Sequence, residues 1–280
     1  MNQFFKISAF ILLIGVVSAQ KLNAQVVIYP TRVYIDHLSR FGTYYVSNKS
    51  QQKQEVTIST KFGYPVSDSL GNMHMNYADS VAARIYSANP WVRIFPKKFI
   101  LDPGKRQVVK LLVSPTGKTK DQVYWTRLIT KVRPVTNSVD PAKSAANMRI
   151  IFVVNYVTTI LYQNGNILPD PVITNIGQTM DSTGVNLYAR VKRTGNTPFI
   201  GKIRFRVSDK KGKVLLSETN PIEVYFNMVK HFKIPRNKLK PGEYEADVSM
   251  ISGNEDLAQK SMSRLRNPVD REVTFVITGN

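Results

Sequence analysis

The most informative stretch of this sequence is MRIIFVVNYVTTILY, residues 148–162, in which alternate positions form two apolar faces of one extended strand. One face carries Met148, Ile150, Phe152, Val154 and Tyr156, and the other carries Ile151, Val153 and Val157. A strand that is apolar on both faces is usually a covered central strand. Its place at the end of a domain, after a long polar loop, favours a sheet edge instead. A retained apolar edge is typical of a strand that pairs with another chain.

The rest of the chain repeats this extended pattern in shorter runs bounded by Gly, Pro, Asn and Asp, and helical periodicity is nearly absent. The pattern predicts an all-β chain of two immunoglobulin-like sandwiches set at an angle. In the first half we predict strands near residues 26–35, 42–47, 55–60, 82–86, 92–95, 106–113, 123–132 and 148–162. In the second half we predict strands near residues 185–191, 203–207, 214–216, 222–225, 231–234, 244–251 and 272–277. Residues 63–81 and 134–147 are rich in turn residues and receive no strand.

The boundary between the two domains is predicted from turn chemistry at residues 163–166, followed by Pro169 and Pro171. The predicted division is an N-terminal domain of residues 25–164, which includes the edge strand, and a C-terminal domain of residues 165–280. Residues 209–212 read as the tip of a hairpin. The run Leu-x-Pro-Gly-x-Tyr that ends at Tyr244 is either a tyrosine corner or an ordinary Pro-Gly turn.

Residues 1–24 read as a secretory signal peptide, with one early charge at Lys6 and an apolar run over residues 7–17. That run is too short to span a bilayer, so we expect an exported protein without a membrane span; a retained anchor helix is the alternative. Cleavage after Ala19 or after Ala24 is compatible with the small residues there, and the second site directly precedes the first strand. Removal of residues 1–24 leaves 256 residues, which is enough for two domains. The sequence contains no cysteine, so the stability of these domains comes from packing alone.

The chain is strongly basic, with a formal charge of +20 that becomes +18 when Lys6 and Lys21 leave with the signal peptide. The basic residues are spread over the whole length, and export separates the protein from most nucleic acid. We therefore predict no nucleic-acid partner. Acidic protein clients and an anionic membrane surface both remain compatible with the charge.

The sequence offers little support for catalysis. Its three histidines, His37, His74 and His231, are far apart and show no metal-ligand spacing, and no nucleophile elbow or phosphate-binding glycine loop occurs. We predict a protein that is not an enzyme and that uses no cofactor or metal. A Ser, Lys or Asp site assembled only in three dimensions would escape this test.

Arg32 stands inside an otherwise apolar strand, in the run Tyr-Pro-Thr-Arg-Val of residues 29–33. A buried arginine needs an anion, and its fork can hold a carboxylate with two parallel hydrogen bonds, most strongly in a cleft between domains. The alternative is an arginine on the solvent face of a first strand.

These residues together resemble the periplasmic chaperones of the chaperone-usher pathway, the PapD-like family that holds pilus subunits. Residues 29–33 are similar to the opening strand of that family, and Val46-Ser-Asn48 is similar to its second strand and turn. The resemblance continues at Pro96, Leu101, Pro103, Gly104, Gln107, Val108 and Leu111, and at the alternating residues Ile150, Phe152 and Val154. In the C-terminal domain it is looser and rests on size, strand content and residues 196–198.

The resemblance implies donor-strand complementation, in which a subunit that lacks its last strand borrows one from the chaperone. It implies that Arg32 binds the C-terminal carboxylate of the subunit. It also implies that the alternating row enters the open groove of the subunit, a row that comprises Met148, Ile150, Phe152, Val154 and Tyr156. The opposite face, with Ile151 and Val153, is then expected to carry the core of the domain. The family pairs its arginine with a lysine, and Thr159 stands at that position here. Lys131 or backbone hydrogen bonds are the substitutes that the sequence suggests.

The resemblance further implies a periplasmic location, a role in pilus or fimbrium assembly and cell wall organisation, and pilus or other exported subunits as partners. An outer-membrane usher and a self-dimer that caps the donor strand are further expected partners. The alternative is an Ig-like structural component of a pilus or surface fibre. Such a component polymerises, whereas a chaperone stays soluble as a monomer or dimer, so size-exclusion chromatography separates the two hypotheses.

Overall fold

The computed structural model describes residues 26–135, 151–253, 265 and 268–277. These residues form two β-sandwiches, a short hairpin and a short helix, so the predicted all-β, immunoglobulin-like class is confirmed. The strands up to the linker are β1 (Val26–Tyr29), β2 (Arg32–Asp36), β3 (Phe41–Asn48), β4 (Gln54–Lys61), β5 (Tyr64–Ser67), β6 (Met73–Asn76), β7 (Val92–Phe95), β8 (Lys98–Leu101), β9 (Arg106–Val113), β10 (Gln122–Pro134) and β11 (Val154–Asn164). The strands after it are β12 (Pro171–Asp181), β13 (Gly184–Arg193), β14 (Phe199–Asp209), β15 (Val214–Val224), β16 (Asn227–Pro235), β17 (Gly242–Ile251) and β18 (Val269–Ile277). The helix α1 spans Ser80–Tyr86, and 3-10 turns span Asn89–Trp91 and Arg236–Lys238.

The first sandwich packs a sheet of order β1-β3-β9-β7 against a sheet of order β2-β11-β10-β4-β8. The chain changes sheets between β1 and β2, so the predicted single strand over residues 26–35 is two strands. In β2, Val33 and Ile35 enter the core between the sheets, while Tyr34 faces the opposite side and packs towards the second sandwich. This period-2 alternation is what places Arg32, two residues before Tyr34, on the side of the second sandwich.

The second sandwich packs a sheet of order β12-β13-β16 against a sheet of order β15-β14-β17-β18. Its core is built from the inward residues of both sheets, among them Phe199, Phe205 and Phe232. The hairpin tip at residues 209–212 is confirmed, since Asp209 Oδ1 accepts hydrogen bonds from the backbone N–H groups after it and Gly212 has a φ of +76°. The tyrosine corner is confirmed as well, because the hydroxyl of Tyr244 donates to the carbonyl of Lys240 at 2.7 Å.

Several predicted elements are wrong. Residues 82–86 were predicted as a strand but belong to α1, whose N-cap is Asp79; the Asp79 carboxylate accepts a hydrogen bond from the Ala82 N–H at 2.8 Å. Residues 63–81, predicted as irregular, contain the hairpin of β5 and β6. The strands β8 and β12 were not predicted, and the two strands predicted over 214–225 form the single strand β15.

The two sandwiches meet through an aromatic cluster around Trp125, which is fully buried. Its indole ring stacks on Tyr86, with ring centroids 5.0 Å apart, and meets Tyr225 of the second sandwich edge-on at 5.0 Å. The β5–β6 hairpin extends the contact between the two sandwiches, because the Ser67 hydroxyl accepts a hydrogen bond from the Val229 N–H at 2.6 Å. His231 is satisfied there too, between the Ser69 carbonyl and the Asn186 side chain.

No strand of the described residues crosses 165–170, the segment that joins the sandwiches. Asn196 of the second sandwich holds this segment: its amide donates to the carbonyls of Asp121 and Asn166 and its Oδ1 accepts from the Leu168 N–H. Within the described ranges, no helix is long and apolar enough to cross a membrane. The same ranges contain no cluster of three or more His, Cys, Asp or Glu side chains that could hold a metal ion.

Candidate functional site

The first half of β11 is an open sheet edge. On one side β11 pairs with β10 along its whole length, from Val154 to Asn164. On the other side the parallel strand β2 begins only at Arg32, which lies opposite Thr159. Among the described residues, the backbone of 154–158 therefore has a ladder partner on one side only. The open edge is about 15 Å long at the usual rise of a strand, long enough to pair with several residues of another chain.

The predicted donor row continues the core face of β11 beyond the end of its own sandwich. Tyr156 still packs against the first core, whereas Val154 is 37% exposed and Phe152 is 67% exposed. Met148 and Ile150, the first two members of the predicted row, lie outside the described residues. The described members of the row thus change from partly buried at Tyr156 to exposed at Phe152 along one strand face, towards the preceding loop.

The opposite face was expected to carry the core through Ile151 and Val153, and this expectation is wrong. Both side chains are exposed by nearly half. The face that carries the first core further along β11 is that of Tyr156 and Ile160, because its residues point between the two sheets of the sandwich. Leu161, on the other face, packs into the aromatic cluster between the sandwiches.

Arg32 lies where the open edge ends, and its guanidinium forms an ion pair with Glu223 of β15 in the second sandwich. Both side chains are partly buried. Burial by itself lowers the pKa of Arg32, but the charge of Glu223 and its hydrogen bond more than offset this effect, and the pKa is raised overall. Arg32 thus faces the cleft between the sandwiches and already binds a carboxylate there.

A second arginine, Arg127, lies in the same row of the sheet. Register pairs Arg32 with Thr159 and Thr159 with Arg127, so the three side chains stand side by side on β2, β11 and β10. Arg127 is 5% exposed; its Nε donates to the carbonyl of Gly63 at 3.0 Å and its Nη1 donates to the Thr159 hydroxyl. Its guanidinium lies 5.2 Å from the ring centre of Tyr225. Burial raises the pKa of Tyr225 to about 12, although the nearby Arg127 charge acts in the opposite direction.

These residues line a cavity of about 340 Å³ beside the open edge. Its polar wall is formed by Thr31, Arg32, Arg127, Thr159 and Glu223. Its apolar wall is formed by Pro65, Met73, Met75 and Val157, of which the first three belong to the hairpin. The cavity therefore joins two guanidinium groups to an apolar wall at the end of an unpaired strand edge.

The sequence identified Arg32 but missed Arg127, Glu223 and the hairpin. Arg127 could have been found by the same criterion as Arg32, since it also stands in a strand of buried residues. Glu223 carried no such signal, because it lies 191 residues away from Arg32 in the chain. Lys131, one of the suggested substitutes for the missing lysine, lies four residues beyond Arg127 on β10 and does not line the cavity.

Comparison with family models gave no match, and no curated protein matches either. Solved structures match over most of the chain. The YadV chaperone is 12% identical, with a TM-score of 0.45 over 90% of this chain and 100% of that one. A chain from the complex of the Salmonella enterica SafA pilin with the SafB chaperone is 14% identical, with a TM-score of 0.44 over 92% and 99% of the two chains. The class 5 fimbriae chaperone CfaA is 13% identical, with a TM-score of 0.47 over 88% and 98%. The chain is similar in structure to these chaperones, and its function is inferred below from the geometry of its own site.

Proposed function

We propose that this chain is a periplasmic chaperone that holds pilus or other exported subunits by donating β11 to them. The observation that carries the proposal is the open edge of β11, which exposes apolar side chains and ends at Arg32. Exposed apolar edges are normally suppressed, because they recruit other strands. An edge that is kept open beside a cationic cavity has the two features needed to bind an unfinished β-sandwich: a backbone ladder and a polar end point.

The position of Arg32 supports one direction for the bound strand. A client strand that runs parallel to β11 would follow the track of β2 and would stop where β2 begins. Its C-terminus would then lie at Arg32, and its terminal carboxylate would meet the guanidinium. A charge-assisted, two-pronged contact of this kind would fix the register of the client strand. Backbone pairing over 154–158 would supply affinity without requiring a particular client sequence.

Under this proposal Phe152 and Val154, together with Met148, Ile150 and Tyr156, fill the groove of the client. Burying a large apolar side chain is worth roughly 1.5–3 kcal/mol, so two or three of them are enough to offset the ordering cost of a short segment. Phe152 contributes most, because it is the most exposed of the three described members of the row. Tyr156 contributes less, because it already packs against the first core.

We propose that residues 1–24 direct export, that residues 25–164 and 165–280 are the two domains, and that the protein binds rather than catalyses. We further propose that an outer-membrane usher receives the bound subunits, and that a self-dimer covers the open edge when no subunit is bound. The rival hypothesis, an Ig-like fibre component, requires the same edge to drive polymerisation.

The test is purification of the native protein from the periplasm of the cells that make it, followed by identification of what comes with it. The proposal expects stoichiometric capture of an exported β-rich subunit and a soluble complex in size-exclusion chromatography. Polymers of the chain itself would support the fibre hypothesis, and a monomer that captures no exported subunit would overturn the proposal.

A further inference from the structure

The second sandwich has an open end that the proposed function does not use. There, a second cavity of about 290 Å³ lies between the turn from β12 to β13, the end of β16 and Ile277 of β18; we call it the distal cavity. Val185, Ile234 and Leu239 line it, and all three belong to the core of this sandwich. Protein cores are normally close-packed, whereas these side chains lack protein contacts on the side of the cavity. An apolar ligand would supply those contacts.

The wall of the distal cavity is aliphatic. Besides the three core residues it includes Met180, Pro235 and Ile277, and no aromatic side chain of the described residues lines it. Met180 is 46% exposed at the end of β12, where its flexible side chain can adapt to apolar groups of different shape. The volume is at the small end of the range for ligand pockets, so it suits one hydrocarbon chain better than a lipid with two.

The mouth of the distal cavity is positively charged. Arg236 lines it, and Lys238 and Lys240 flank the lining residue Leu239 in the chain. All three cationic side chains are exposed. Long basic side chains cover apolar surface with their stems and keep their charges in water. A ligand that places an aliphatic chain in the cavity therefore meets cations at the point where the chain emerges.

The one carboxylate in the described part of the wall, Asp181, is already engaged in the turn. Its Oδ1 accepts hydrogen bonds from the backbone N–H groups of Thr183 at 2.7 Å and Gly184 at 3.1 Å. Hydrogen bonds from Thr183 are the main cause that lowers the pKa of Asp181, and the charge of Lys233 acts in the same direction. Because Lys233 offsets this carboxylate, the excess of positive charge at the mouth is retained.

We propose that the distal cavity binds the aliphatic chain of an anionic amphiphile, with the chain against Leu239 and Ile277 and the head group beside Arg236. The ligand class is a medium-chain fatty-acyl carboxylate or the acyl chain of an anionic lipid, since both present the same chemistry. The inference goes beyond the proposed function, because the distal cavity shares no lining residue with β11 or with the cavity beside the open edge.

The probe is octanoate, with hexanoate and decanoate as chain-length comparisons and octylammonium as the cation of equal length, all below the concentrations at which they form micelles. The readout is the ¹H–¹³C NMR spectrum of the isoleucine, leucine and valine methyl groups of the mature protein, which locates the ligand without any variant. We expect saturable shifts at Val185, Ile234, Leu239 and Ile277. The affinity should rise about fourfold for each added methylene until the cavity is full. Octylammonium should bind about fivefold more weakly than octanoate at low salt.

Arg236→Gln should weaken octanoate binding about threefold at low salt, and less at high salt, because the lost charge is exposed and screened. Arg190→Gln is the matched control. Arg190 is exposed on β13, outside the wall of the distal cavity, with its guanidinium 5.7 Å from the centre of the Tyr188 ring. This control should bind octanoate as the wild type does.

Vesicles of phosphatidylcholine, with and without phosphatidylglycerol, identify the source of the chain. Co-sedimentation with the phosphatidylglycerol vesicles that octanoate reverses would assign the site to an anionic lipid. Octanoate binding without co-sedimentation would assign it to a free amphiphile, and either result supports the inference. Methyl shifts confined to residues outside the distal cavity, affinity that does not rise with chain length, or co-sedimentation by a protein that octanoate leaves unshifted would overturn it.

Discussion

Replacing Trp125 with alanine tests how the two sandwiches are held together. Trp125 is fully buried and its ring contacts Phe62, Tyr86 and Tyr225, with centroids 5.6, 5.0 and 5.0 Å away. Truncation of a large aromatic side chain in a packed interior costs about 3–5 kcal/mol. The indole Nε1 of Trp125, however, has no acceptor among the described residues, and an unsatisfied buried donor already costs about 1–3 kcal/mol. Alanine removes that penalty, so we expect Trp125→Ala to lower the free energy of unfolding by about 2 kcal/mol.

The assay is urea unfolding followed by circular dichroism, with Trp125→Phe as the matched control. Phenylalanine keeps an aromatic ring among the neighbours of Trp125 and has no N–H group, so its loss should be about 1 kcal/mol. Trp91 is then the sole tryptophan of the control and reports unfolding of the first sandwich by fluorescence. A loss below about 1 kcal/mol for Trp125→Ala, or equal losses for the two variants, would refute the reasoning that this ring joins the sandwiches.

Three further substitutions, at Asp79, Tyr244 and Gly42, test which local contacts stabilise the two sandwiches. Asp79→Ala should destabilise the protein by about 1 kcal/mol near neutral pH, because it removes the cap of α1. Hydrogen bonds from the Ala82 N–H and from the Tyr64 hydroxyl lower the pKa of Asp79, so this stabilisation is present above about pH 4 and disappears as pH falls through the lowered pKa. Denaturation at pH 6 and pH 3 checks this, and an unchanged difference between variant and wild type would contradict it. Tyr244→Phe should lower the free energy of unfolding by about 1 kcal/mol, measured with heat or urea, because the hydrogen bond to the Lys240 carbonyl is lost. Unchanged stability would show that the tyrosine corner is dispensable. Gly42→Ala should lower the free energy of unfolding by about 1–3 kcal/mol, because a Cβ at position 42 would lie 2.7 Å from a Val33 methyl group. Wild-type stability of this variant would show that the two sheets can separate locally.

The sequence predicted most strands correctly, because alternation is a local signal that each strand carries by itself. Residues 106–113, for example, alternate between the core and solvent and form β9. The helix α1 was missed because its seven residues are too few to show a helical period, and the cap at Asp79 was the better signal. The hairpin was missed because it depends on contacts such as Ser67 with Val229, which are distant in sequence.

The site shows the same difference between local sequence signals and contacts that are distant in the chain. Arg32 was predicted from its immediate neighbours, and its place in the cleft followed from alternation in β2. Its ion pair with Glu223 depends on how the two sandwiches are placed relative to each other, which no local sequence pattern predicts. The open edge of β11 was expected from the order of elements, whereas the length of that edge depends on where β2 begins to pair, at Thr159.

The central claim is that Phe152 and its neighbours are donated to a client, and Phe152→Glu tests it most directly. Phe152 is 67% exposed, so a charge there should leave the free protein stable; Phe41→Glu, at 65% exposure on the other sheet, is the matched control. Both variants are expressed in the native cells, purified from the periplasm, and compared with wild type for thermal stability and for captured subunit. We expect wild-type stability for both variants, capture of subunits by Phe41→Glu, and loss of capture by Phe152→Glu. Full capture by a stable Phe152→Glu protein would contradict donation of this row to a client.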